Sequence, residues 1–64
     1  MGEQLKRGQS VTATAYGGEK LKRRVVRDLG NTVVICTEEE FHRSTLEKRE
    51  PSGVGFPRKD VTAL

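Results

Sequence analysis

The sequence predicts a mainly β protein: a small barrel of about five strands, with one short helix inserted before the last two. Three observations carry this. "SVTAT" alternates polar and apolar residues, "TVVIC" is an almost unbroken β-branched run, and "GFPRKDV" sets a proline and a polar turn between two short apolar segments. Alternation with period two marks a strand with one buried face. β-Branched runs bounded by turn residues mark interior strands. The 64 residues make one small domain with a marginal core. Residues 8–64 are assigned to it, and residues 1–7 to a flexible polar lead-in that is expected to fray, with Leu5 its one candidate anchor.

In the first strand, "SVTATAY", Val11, Ala13 and Ala15 face inward while Thr12, Thr14 and Tyr16 face outward, until Gly17-Gly18 breaks the run. The second, "KLKRRVVRDL", alternates imperfectly. Leu21, Val25 and Leu29 share one face and Lys20, Lys22 and Arg24 the other, but Arg23 and Arg27 fall with the apolar set and Val26 with the basic set. A bulge near Arg24 resolves the conflict by flipping the register within the strand. Gly30-Asn31 supplies a two-residue hairpin turn, and "TVVICT" follows as a central strand covered on both sides.

A helix is expected next. Thr37 can cap it, with Glu40 bonding back three residues later. Glu38, Glu39 and Glu40 fill the first turn and Lys48 and Arg49 the last, as the helix dipole favours. Glu39–Arg43 and Arg43–Glu47 are spaced for ion pairs, and Pro51 and Gly53 end the element. Phe41 and Leu46 are five residues apart and lie on different stripes. A helix of two to three turns, held mainly by Phe41, is the expectation. Val54 and Phe56 then form a fourth strand. Pro57 opens a single turn over Arg58, Lys59 and Asp60, and Val61 and Ala63 form the last strand. The proline is a corner at which the barrel shuts.

Ending on "VGFPRKDV" and opening on "GQSVTATAYGG", the chain resembles the Src-homology-3-like small barrels, an architecture shared with Tudor-like and KOW-like modules. The resemblance implies the barrel layout over residues 8–64. It does not extend to proline-peptide binding. The signalling members resemble one another in a tyrosine-rich first segment and a tryptophan that wall the peptide groove, whereas this chain has one Tyr and no Trp.

Function is approached through charge. The net charge is +3, and residues 1–30 hold seven basic and three acidic groups, against five and six in residues 31–64. Lys20, Lys22, Arg23, Arg24 and Arg27 put five cations within eight residues, with Arg58 and Lys59 near them if the barrel closes. Such a strand suits a nucleic-acid backbone, another polyanion or an acidic protein, and Tyr16 offers a base a stacking platform. The plainer role for the same cations is to protect a solvated edge from aggregation. The alternative function is an adaptor or oligomerisation module, a homodimer included, using Phe41, Leu46 and an exposed Val26.

Catalysis is not expected. Cys36 and His42 are six residues apart with no acidic residue placed to orient the base, and Glu38, Glu39 and His42 on one short helix do not make a closed metal site. No metal, cofactor or small-molecule substrate is implied. Cys36 is the single cysteine, which excludes an internal disulfide and favours a reducing, cytoplasmic setting. The longest apolar run, Val33 to Cys36, is far below the roughly 20 residues of a membrane span, so no membrane role is expected.

Overall fold

The computed structural model describes residues 5–64, so the first four residues of the lead-in lie outside the described residues. The chain runs β1 (Ser10–Thr14), β2 (Lys20–Asp28), β3 (Thr32–Cys36), α1 (Glu38–Glu47), β4 (Val54–Pro57), a single 3₁₀ turn (Arg58–Asp60) and β5 (Val61–Ala63). This is the mainly β layout read from the sequence, with the helix ahead of the last two strands. All neighbouring strands are antiparallel, in the order β4-β3-β2-β1-β5.

The sheet is not closed. β4 and β5 occupy opposite edges and do not pair with each other, which corrects the expectation that the Pro57 corner shuts the barrel. It is not flat either. Four interstrand steps of about 4.8 Å would separate the edges of a flat sheet by roughly 19 Å. The turn joining β4 to β5 is three residues long, and at about 2 Å rise per residue it covers only about 6 Å. The sheet therefore has to curl until its two edges come near each other. Phe56 from β4 and Val61 from β5 accordingly pack on the same core. The result is compatible with a small barrel-like fold left open at one seam.

That core is Val11, Ala13, Val25, Val33 and Ile35, all fully or almost fully buried, with Leu5, Phe56 and Val61 packed at its margin. Register explains the membership. Val25 lies opposite Ile35 and Val33 opposite Phe56, while Ala13 lies opposite Val61, so these side chains share the inner face. Leu5 is further secured by its amide, which donates to the Asp28 carboxylate at 2.9 Å. Toward the strand ends the pattern outruns the burial: Leu29 and Val54 are largely exposed, and Ala63 is exposed.

The β2 bulge exists, displaced from Arg24 to the step between Val25 and Arg27. Its extra residue, Val26, is buried at 6% exposure. Val26 is thus unavailable as the exposed docking residue that the adaptor reading requires. Two adjacent valines can both be buried because the bulge breaks the strict alternation of the strand at that point.

α1 packs chiefly against β2. Thr37 caps it, its hydroxyl accepting from the Glu40 amide at 3.0 Å. The reciprocal half of the capping box is not made. Glu40 turns away, accepting from Arg49 at 2.7 Å and from the Ser52 amide at 2.9 Å, and so ties the helix start to the segment beyond its end. The helix ends at Glu47, so Lys48 and Arg49 lie just past it and not in its last turn. Lys48 takes a left-handed conformation at φ 54°, and the Arg49 amide returns to the Ser44 carbonyl at 3.0 Å. This six-residue bond is the Schellman way of satisfying orphan carbonyls. Neither Glu39–Arg43 nor Arg43–Glu47 is among the ion pairs of the described residues, and Glu38, Glu40 and Glu47 pair instead with residues outside the helix. Phe41 is half-buried against Gly8, and Ser44, buried beneath the helix, donates its hydroxyl to the Phe41 carbonyl at 2.8 Å.

Candidate functional site

Strand register sorts the predicted cations into two groups. Lys20, Lys22 and Arg24 lie opposite Thr14, Thr12 and Ser10 on β1, on the sheet face away from the core. Arg27 would fall on the core side in an unbroken strand. The bulge at Val26 moves it to the outer face, opposite Val34. Four cations thus form one outer row along β2. Arg23 does not join them, because it lies opposite Val11 on the inner side. It is half-buried, and its guanidinium donates to the Lys22 carbonyl at 2.8 Å.

Arg58 is also separate. Its guanidinium donates to Asp28 at 2.6 Å, and Asp28 lies opposite Val33 on the inner side of the bulged strand. Lys59 is exposed on the 3₁₀ turn.

The row is partly neutralised from within. Glu38, the first residue of α1, meets Arg24 at 3.1 Å and Lys22 at 3.9 Å. Glu50, just past the helix, meets Arg27 at 3.6 Å and also bonds Arg7. That bond to Arg7 holds the Glu50 carboxyl below the ordinary glutamate range and raises the Arg7 guanidinium. Arg24 is pinned a second time, donating to the Gly8 carbonyl at 2.8 Å. Among the described residues Lys20 bonds only a hydroxyl, that of Thr14, at 3.0 Å. Lys22 and Arg27 keep side-chain exposures of 62% each despite their partners. The face is therefore a polarised surface on which Lys20, Lys22 and Arg27 point to water, Arg24 is held half-buried, and the counter-ions are tethered to the helix and its exit.

Sequence reasoning missed Glu38 and Glu50 as counter-ions. Opposing Arg24 to Cys36 makes the Glu38 contact a near-neighbour consequence, but the β2–β3 register was needed to see it. Glu50 lies 43 residues from Arg7, and no spacing signal connects them.

A second feature lies at the Lys20 end of the row. A shallow groove of about 360 Å³ is lined by Thr14, Tyr16, Gly55, Phe56, Pro57 and Asp60. Tyr16 stands fully exposed beside it. The adaptor residues do not assemble comparably. Leu46 is 72% exposed, Phe41 is half-buried and Val26 is buried.

Cys36 is buried, and its thiol is pushed above the usual range by loss of solvent and then by the nearby Glu40 charge. His42 is exposed on α1, beside Glu38 and Glu39 on a groove shared with Arg24 and Phe41. Among the described residues, no group of three or more His, Cys, Asp or Glu side chains is placed to hold a metal ion. No helix among them is long and apolar enough to cross a membrane. No family model, curated protein or solved structure matches the chain.

Proposed function

We propose that this protein is a small intracellular binding module that contacts the phosphate backbone of nucleic acid through the outer face of β2. The observation that supports this is the bulge at Val26, which brings Arg27 onto the same face as Lys20, Lys22 and Arg24. Backbone phosphates supply charge without sequence, and a row of four cations on a fixed strand, three of them exposed, answers that chemistry. Glu38 and Glu50 are consistent with it: each carboxylate contacts two cations, an arrangement that a bound phosphate oxygen could take over. The strand order and the one-turn corner support an unclosed member of the Src-homology-3-like architecture. A single buried cysteine suits a reducing cytoplasm.

The test is the salt dependence of binding to a duplex and to a single strand. Binding should weaken steeply as salt rises, and Lys22→Ala and Arg27→Ala should each lower the slope of log K against log salt by about one. Absence of binding at about 50 mM salt, where such contacts are strongest, would sink the proposal.

A further inference from the structure

We infer that the groove beside Tyr16 holds an unpaired nucleobase, which makes the preferred partner a single strand. This rests on the outer row of β2 being a phosphate-binding face. The ring is held out by its turn. The Gly18 amide donates to the Ala15 carbonyl at 3.0 Å and the Ala15 amide to the Glu19 carbonyl at 2.7 Å. Gly17, after Tyr16, takes φ 90°, a conformation open to glycine at little cost. Tyr16 is therefore at the second position of a closed turn, with its ring in water, while most large apolar side chains of the domain are drawn toward the core.

The groove next to the ring has a chemistry suited to a base. Phe56 and Pro57 give it an apolar wall, and Tyr16 adds an aromatic surface. Thr14 and the Asp60 carboxylate add polar atoms that can accept from a base N–H, whether the ring imide of thymine or the exocyclic amine of adenine or cytosine. Charge complementarity fixes the orientation of the strand. Lys20 Nζ lies 3.0 Å from Thr14 Oγ1, so the first cation of the row touches a residue lining the groove. Lys22 and Arg24 follow on the same face at steps of about 6.6 Å, twice the rise of a strand. An extended strand can thus place a base on Tyr16 and its following phosphates along β2. A duplex cannot do the same, because its base faces are stacked inside and present only their edges. A proline-rich peptide fits less well, since Tyr16 is the only Tyr and the chain has no Trp to build a second ridge.

The same scarcity supplies the assay. With no Trp and one Tyr, the intrinsic fluorescence of the protein reports on Tyr16 alone. Three polyanion probes are titrated at low salt, an oligothymidylate single strand, a mixed-sequence duplex and linear inorganic polyphosphate, with a proline-rich peptide as a fourth, uncharged probe. The single strand should quench Tyr16 and bind most tightly, whereas polyphosphate should bind without quenching. Read by titration calorimetry, which needs no fluorophore, Tyr16→Ala should weaken single-strand binding by about 5- to 150-fold, the range for one stacked base, and leave polyphosphate unchanged. Tyr16→Phe should retain most of the affinity. If the single strand binds no better than polyphosphate, without quenching and without loss in Tyr16→Ala, the base site is wrong and the phosphate face stands. If none of the three binds, both readings fall. Quenching by a proline-rich peptide but not by the single strand also overturns the base site.

Discussion

Arg58, in the single turn between β4 and β5, donates to the Asp28 carboxylate at the end of β2 across 30 residues of chain. The Asp28 side chain is only 4% exposed. It also accepts from the amides of Leu5 and Gly30. One carboxylate on the central strand thus joins the lead-in, the β2–β3 turn and the corner that links the two edge strands. This polar knot fastens the curl.

The knot predicts an acid-sensitive fold. Arg58 first, and then the two amides, lower the Asp28 pKa from 3.8 to about 2. The folded value is below the unfolded one, so the contribution is complete above about pH 4 and is lost as pH falls through about 2. Thermal melts between about pH 6 and pH 2 should show this loss in the parent protein. Asp28→Asn should be less stable at neutral pH and should have a flatter acid limb. Parallel melting curves for the two proteins would show that another carboxylate governs acid unfolding.

Lys48 carries backbone strain. A non-glycine residue at φ 54° accepts the crowding of Cβ against its carbonyl, a cost of roughly 1 kcal/mol. Glycine is the usual occupant of this position at a helix end. Lys48→Gly should therefore stabilise the domain by about 0.5–1 kcal/mol, raising its melting temperature by about 2–8 °C. A lower melting temperature would mean that the lysine side chain compensates the strain.

Gly53 meets the opposite constraint, one of space. A Cβ there would lie 2.7 Å from the Ile35 carbonyl oxygen and 2.9 Å from Val34 Cγ1. The segment between α1 and β4 can cross β3 this closely only without a side chain. Gly53→Ala should cost about 1–3 kcal/mol, as overpacking does, seen as a lower midpoint in urea with an unchanged slope. Wild-type stability would show that the crossing can shift outward.

These residues show where the sequence was legible. Alternation gave β1, the β-branched run gave β3, and Pro57 with its polar triplet gave the corner, because each signal is local and set by backbone geometry. The bulge was legible as a conflict in β2, but its position was not. Val25 and Val26 look equivalent until Ile35 and Val34 fix the register across the strands. Open or closed edges, the turning away of Glu40 from Thr37, and the Glu50 contacts with Arg7 and Arg27 depend on approaches between distant segments. No periodicity encodes those approaches. Gly53 could be read as a helix stop, while its main constraint, the Ile35 carbonyl, lies in another strand.

Glu38 and Glu50 should act as built-in competitors if the outer row binds phosphate. Glu38 holds Lys22 and Arg24 of the row and Glu50 holds Arg27 as well as Arg7 outside it, so a polyanion must displace both carboxylates before contact is complete. Exposed ion pairs are weak, which makes this displacement affordable. Glu38→Gln and Glu50→Gln remove the competitors while keeping side-chain shape, and each should tighten polyphosphate binding by up to about fivefold at low salt. The gain should shrink as salt screens the pairs. The double variant should show nearly the product of the two, since the carboxylates serve different cations. Circular dichroism would verify that the fold survives, because Arg24 keeps its bond to the Gly8 carbonyl without Glu38. If both folded variants bound polyphosphate no better than the parent, the carboxylates would be bracing the helix against β2 without competing for its cations.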